Sequence, residues 1–145
     1  MTLNYSRSRG FTLLEIMVVI VILGILASFV APNILGNAEK ANIQKAVTDI
    51  STLEGQLKLY KLDNYNYPTT EQGLEALVTE TDVEPLPRRF PEEGYINRLP
   101  KDPWGNEYQL LNPGEIGKID VFTMGPDGEP GTDDDIGNWN LSDYQ

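Results

Sequence analysis

From Phe11 to Ala31 the chain reads FTLLEIMVVIVILGILASFVA, 21 positions carrying one charge, Glu15. As a helix this block reaches about 31 Å, which matches a ~30 Å hydrocarbon core. A cleaved secretory signal shares the basic flank SRSR but has a shorter apolar stretch, roughly 7–15 residues, and a small-x-small ending. The block is longer and lacks that ending, so the reading is a retained membrane helix. Beyond it the apolar positions narrow to one side. Ile43, Ala46, Val47, Ile50, Leu53, Leu57 and Tyr60 form a helical stripe, and Lys40, Lys45, Asp49, Glu54 and Lys58 fall between them. Pro32 and Gly36 predict a kink or local unwinding at the junction. As one element, residues 11–62 make a helix of about 78 Å, half in lipid and half against a small domain.

After Asn64 the pattern changes. Tyr67-Pro68 ends the long helix, and Thr69 and Thr70 before EQGLEALV predict a short capped helix. Five prolines between 83 and 103 (Pro85, Pro87, Pro91, Pro100 and Pro103) predict an ordered loop. Two strands follow, around Glu107–Leu111 and Lys118–Met124, with turn residues between them. The Tyr60, Tyr65 and Tyr67 group is expected to pack the helix end on the sheet. Trp104 and Trp139 are expected to pack over the loop and sheet rather than form a binding surface.

Composition narrows the chemistry. The 145 residues include neither Cys nor His, which excludes disulfides, thiolate nucleophiles and His-based triads and leaves the usual zinc ligand sets unfilled. The net charge of −11 argues against binding a phosphate backbone, so no nucleic-acid partner is expected. The charge is also sorted along the chain. Residues 1–10 hold Arg7 and Arg9 and no acid, whereas Gly125–Gln145 holds six acids and no base. By the positive-inside tendency the basic start stays cytoplasmic and the acidic bulk is exported, giving a single-pass protein.

Glu15 is the anomaly in the apolar block. A carboxylate at membrane depth costs roughly 2.5–3.5 kcal/mol on insertion scales and normally has a partner. It either reaches the headgroups or meets a cation supplied by another chain. Cleavage before Phe11 would create such a cation, the new α-amino group of a neighbour.

SRG-FTLLEIMVVIVILGILA resembles a class III signal sequence: a short basic leader ending in Gly, then Phe, then Glu at the fifth position. This is the processing site of the type IV pilin-like superfamily. YPTTEQGLEAL (67–77), LPKDPWGNEYQ (99–109) and GTDDDIGNW (131–139) resemble the major pseudopilins of the type II secretion system, the general secretion pathway protein G family. The resemblance implies an α+β, type IV pilin-like fold: a long N-terminal helix, transmembrane in its first half, packed on a small antiparallel sheet, with a C-terminal calcium loop. It implies a leader at 1–10, a transmembrane half at 11–31 and a periplasmic domain at 32–145. Prepilin peptidase would cut between Gly10 and Phe11 and N-methylate Phe11, which leaves the amine cationic. Glu15 would then pair with an incoming subunit's amino terminus, and unwinding between Gly24 and Pro32 would accommodate packing. The implied partners are the chain itself in a helical homopolymer, minor pseudopilins, the inner-membrane secretion platform and the inner membrane. The implied role is structural, not enzymatic: a subunit of the periplasmic pseudopilus that drives export of folded proteins across the outer membrane. Type IV pilus subunits commonly carry a C-terminal disulfide, which zero Cys excludes. A membrane-anchored calcium-dependent binding module would need neither the Gly10–Phe11 junction nor Glu15.

Asp127, Asp133, Asp134 and Asp135 fall within nine residues rich in Gly and Pro. Hard oxygens on a flexible turn suit calcium, although the spacing is not that of an EF-hand. From the residues alone, a solvated acidic loop and a metal site both stand; the resemblance implies calcium. The assigned ligands are the side chains of Asp127, Asp134 and Asp135 and the carbonyls of Met124 and Thr132. Asp133 is the alternative, because successive side chains of an extended loop diverge. One or more of Arg88, Arg89 and Arg98 are expected to meet Glu54 or Asp49 of an adjacent subunit.

Overall fold

The computed structural model describes residues 10–144, with side chains throughout except at 29–35. The expected leader cations Arg7 and Arg9 lie outside the described residues. The chain divides into two compact units, Met1–Glu39 and Lys40–Gln145. One helix, α1 (Leu13–Asn64), contributes to both. Its bounds sit two residues later than the periodicity indicated. Thr12 is the cap: its hydroxyl accepts the Glu15 N–H at 3.2 Å, which fixes the start at Leu13. Helical backbone continues through Pro32 and Gly36, so the unwinding expected there is absent from the single chain. A proline removes only one N–H donor from the ladder.

In the first unit the side chains from Phe11 to Leu26 are exposed, Phe11 at 77% and none of the large apolar ones below 45%. A helix apolar on all sides has no inner face and takes its surroundings from lipid or other chains. Among the described residues no helix is long and apolar enough to cross a membrane. The segment expected to span includes residues 29–31, whose side chains are not among those described.

In the second unit the predicted stripe is the core. Ala46, Val47, Ile50, Leu53, Leu57 and Tyr60 are buried, with Ile43 packed at the edge of the cluster. They meet a small antiparallel sheet formed, among the described residues, by β1 (Gln109–Leu111), β2 (Asp120–Thr123) and β3 (Ile136–Gly137) in that order. The register pairs Leu110 with Val121 and Thr123 with Ile136. All four residues of β2 are buried, as befits a central strand covered on both faces. The two strands expected from sequence are β1 and β2, each trimmed. β3 was missed because a two-residue strand has no period to read.

The expected capped helix after Pro68 is reduced to a turn. Thr69 and Gln72 exchange hydrogen bonds, Gln72 N–H to the Thr69 hydroxyl at 3.1 Å and Thr69 N–H to Gln72 Oε1 at 2.9 Å. That is a capping box, but Gly73 at φ +60° breaks the run, and only a 3-10 turn at Leu74–Leu77 follows. Segment 83–103 is an ordered loop without strands or helices, as expected. Of the three tyrosines, Tyr60 is buried and Tyr67 packs at the core's edge, but Tyr65 is 69% exposed. It sits just past the helix at φ +68°, turned away from the sheet.

Loops outweigh strands here, and buried carboxylates hold them. Asp120, 2% exposed, accepts the N–H groups of Glu115, Ile116 and Gly117 at 2.7–2.8 Å. Asp102 accepts from Trp104 N and Asn106 N and from the Thr123 hydroxyl. Three tyrosine hydroxyls sit in related settings. Burial, with the Asp63 carboxylate at 3.1 Å, pushes Tyr95 up to about 12. Burial also raises Tyr108, aided by Asp49 at 2.8 Å, and raises Tyr60. Trp139 covers β3: its ring packs on Phe122 at 5.7 Å between centroids and lies over Gly137.

Two outcomes follow for stability. A Cβ at Gly137 would lie 2.3 Å from the Trp139 ring. Gly137→Ala is therefore expected to cost about 1–3 kcal/mol in urea unfolding, whereas Gly55→Ala, in open space on α1, gains roughly 0.5–1 kcal/mol. Because the folded Tyr95 holds its proton more tightly than the unfolded ~10, its contribution is complete below pH 10. It is lost as pH rises through about 12. Urea midpoints should fall across that window and fall less in Tyr95→Phe; identical slopes would refute the assignment.

Candidate functional site

Two separate sets of expected residues can be placed. At the start of α1, Gly10, Phe11, Thr12 and Glu15 line one hollow. The structure thus brings the expected cleavage junction and the expected assembly carboxylate together. Glu15 lies in the first turn of α1, where the helix dipole favours an anion, and among the described residues its carboxylate holds no ion pair. Thr12-Leu-Leu-Glu15 is also the S/T-x-x-E spacing of a capping box, with the Thr12 half formed. Sequence reading by charge alone passed over this local role. The TLLE spacing carried it.

The second set is the loop after β2. Gly125, at φ +63°, approaches so closely that a Cβ there would lie 2.5 Å from the Asp134 carbonyl oxygen and 2.7 Å from its Oδ2. Only glycine permits this closure. Asp134 is fixed at both oxygens. Oδ1 accepts the Thr132 hydroxyl at 2.5 Å, and Oδ2 accepts the Asp127 N–H at 3.3 Å. The Thr132 hydroxyl is foremost in holding the Asp134 carboxyl below its ordinary range. Asp127 Oδ1 accepts Glu129 N–H at 2.8 Å.

Asp135 is 8% exposed. Its Oδ2 accepts Gly131 N–H at 2.7 Å, but its Oδ1 is buried without a partner. An orphaned buried carboxylate oxygen costs free energy that a cation would recover. The Thr132 carbonyl accepts only a long 3.3 Å bond from Asp135 N–H, which leaves it lone-pair capacity. Asp133 is exposed and points to no role in this cluster. Among the described residues no three acidic side chains gather as a ready-made metal cluster. The donor set therefore fits a hard cation only with backbone carbonyls included, as in the assigned set of Met124, Asp127, Thr132, Asp134 and Asp135.

The two acids expected to receive a neighbour's arginine are engaged within the chain. Asp49 pairs with Lys45 at 2.6 Å and accepts the Tyr108 hydroxyl at 2.8 Å, and Glu54 pairs with Lys58 at 3.1 Å. Arg88 lies over the Tyr65 ring, 5.0 Å from its centroid. Trp104 packs on the core and Trp139 on Phe122, so both tryptophans serve the fold.

Residues 33–139 match the family model described as type II secretion system protein G, and residues 5–31 match the prokaryotic N-terminal methylation motif. The chain is 70% identical to the type II secretion system core protein G of Pectobacterium carotovorum subsp. carotovorum, over 93% of this chain and 86% of that one. It is 66% identical to the protein of that name from Vibrio cholerae, covering 96% and 97%, and 49% identical to that from Pseudomonas aeruginosa, covering 92% and 96%. Among solved structures it is similar to the major pseudopilin from the type 2 secretion system of enterohaemorrhagic Escherichia coli. The TM-score there is 0.70 at 58% identity, covering 74% of this chain and 90% of that one.

Proposed function

The chain belongs to the type II secretion system protein G family, and from that premise we propose that it is the structural subunit of a helical pseudopilus whose growth drives folded proteins across the outer membrane. The observation that carries this reading is the uncovered apolar start of α1 with Glu15 beside Phe11, holding no ion pair among the described residues. An isolated soluble domain has no use for that surface, and a polymer growing from a membrane does.

The protein is an anchored subunit of a periplasmic pseudopilus and acts by packing, without a reaction of its own. Cleavage after Gly10 leaves Phe11 as a methylated, cationic terminus. Block 11–31 holds the subunit in the inner membrane as a single span until an incoming chain joins. The Glu15 carboxylate, one turn from that terminus, receives the amino group of a neighbour, and the pairing removes the cost of two isolated charges in lipid. Minor pseudopilins, the prepilin peptidase and the inner-membrane platform are the partners this route requires.

Calcium belongs to the same reading as a structural ion. When bound, it supplies charge neutralisation and 6–8 coordination positions. Asp127, Asp134 and Asp135 would hold it with the Met124 and Thr132 carbonyls. Support comes from the orphaned Asp135 Oδ1 and the Gly125–Asp134 closure. The residues themselves orient the loop and fasten β3 to β2.

Glu15→Gln separates the two roles of that residue, since Gln serves a capping box equally but carries no charge. It is expected to keep the chain folded and inserted while abolishing sheared filaments and exoprotein release. Unchanged filament yield would sink the pairing. In thermal melts of the detergent-solubilised chain, calcium at ~100 times its dissociation constant adds about 2.7 kcal/mol. That corresponds to roughly ten degrees for a domain of this size. The shift should vanish with chelator and in Asp127→Ala or Asp134→Ala; equal melting with and without the ion would show a merely solvated loop.

A further inference from the structure

The charges of the Lys40–Gln145 unit are sorted along α1 by segment 92–101, which runs beside the helix as a strap. At one end the Tyr95 hydroxyl donates to Asp63 at 3.1 Å and receives Asn64 Nδ2 at 3.1 Å. At the other, the Lys101 carbonyl accepts from Lys45 Nζ at 2.8 Å. From Lys45 to Asp63 the helix rises about 27 Å, so the strap lies antiparallel to α1, with its two ends far apart.

The two ends carry opposite charge. Glu92 and Glu93 are exposed on a turn closed by Gly94 N–H to the Pro91 carbonyl and pinned by Tyr95 and Ile96 N–H to the Leu77 carbonyl. Exposed Glu80 follows that same 74–77 turn. Cations also lie at this end, Lys61 over Tyr67 and Arg88 over Tyr65 with Arg89 beside them, and the stacking orients them without cancelling their charge. At the other end Lys45, Arg98 and Lys101 line a cleft of ≈410 Å³ with Leu99 and Pro100 and a single carboxylate, Asp49. Asp49 is already held by Lys45 and Tyr108. Among the described residues Arg98 and Lys101 hold no ion pair, and the neighbouring Asp102 is buried with both oxygens taken.

Building on the polymer reading above, we propose that the Lys45–Arg98–Lys101 cleft receives Glu92 and Glu93 of a second copy of this chain displaced along the α1 direction. Identical chains stacked along one axis bring unlike ends of the strap together, whereas chains packed level set like against like. A head-to-tail contact of this kind does not close on itself and so propagates. It also answers the self-repulsion of a strongly acidic chain. Asp120 caps a loop and Glu54 holds Lys58, so neither is free to enter a neighbour's cleft.

The chain has no cysteine, which makes a cysteine pair a clean probe in the full-length protein expressed with its secretion machinery. Glu93→Cys with Lys101→Cys in one chain sits at opposite ends of the strap, beyond the ~7 Å Cα separation a disulfide tolerates. Oxidation of sheared filaments is expected to give a ladder of covalent oligomers, and neither single variant gives one. Glu92→Lys with Glu93→Lys, and Arg98→Glu with Lys101→Glu, should each lower filament yield at least about tenfold, and combining all four changes in one chain should restore it. Parent filaments without a ladder in the cysteine pair, or wild-type yield in either charge-reversed chain, overturn the contact and leave the polymer intact. A parent chain that forms no filaments removes the polymer and this contact together. The cysteine pair decides even where a charge reversal impairs folding.

Discussion

Burial of one helical stripe in a cluster shared with Leu110, Val121 and Ile136 of the three strands and with the 74–77 turn is the contact on which the second unit rests. β2 is covered at all four positions, and the α1 residues from Ala46 to Tyr60 that face the core have almost no exposure. A sheet with strands of three, four and two residues is not stable alone, so the helix is its foundation. The loops then depend on side chains that replace a ladder. Asp120 gathers three N–H groups, Asp102 ties β2 to the 102–106 turn, and Asn138 bonds the Ile119 carbonyl while its own Oδ1 receives Val121 N–H.

What could be read from sequence follows from what has a period. The apolar block, the amphipathic stripe and two of the strands repeat at 3.6 or 2 residues over enough positions to be recognised, and the α+β class follows from them. β3, the break of the capped run at Gly73 and the exposure of Tyr65 rest on single dihedral angles or pairwise bonds. No window of residues encodes these before the chain is folded. The same contrast divides the candidate sites. Gly10, Phe11 and Glu15 could be nominated because their spacing is local, and in the structure they line one hollow. In the acidic loop the divergence of successive side chains sets Asp133 apart, and it is exposed, but nothing in the sequence tells the other three apart. The Gly125–Asp134 approach and the unpartnered Asp135 oxygen distinguish them only in three dimensions. Asp49 and Glu54 lie four residues from Lys45 and Lys58 on α1, a spacing that marks them as paired within the chain once the helix is read.

The 22 acidic residues therefore do several kinds of work. Some are buried and serve as loop caps, some order the 127–135 loop, Asp49 and Glu54 pair with lysines on α1, Asp63 accepts a tyrosine hydroxyl, one sits in the apolar block, and others face solvent. Net charge alone reports none of this, because a carboxylate's role is set by the number of N–H groups and cations within reach. A uniformly acidic surface resists self-association, so the few cationic spots carry disproportionate weight in deciding how copies meet.

The hydrogen bond from Tyr108 to Asp49 joins positions 59 apart in the chain, and Lys45 reaches the carbonyl of Lys101 across 56. The helix that begins the domain is therefore covered by residues that follow it, first Leu74, Ala76 and Leu77 and then the strands. Its stripe is fully enclosed only once β1, β2 and finally β3 have joined. Closure of such distant contacts is slow compared with local helix formation. In the membrane seat proposed for it, the N-terminal block would keep each nascent chain apart from its neighbours while its far end catches up. Attachment there would serve the order of folding as well as the place of assembly.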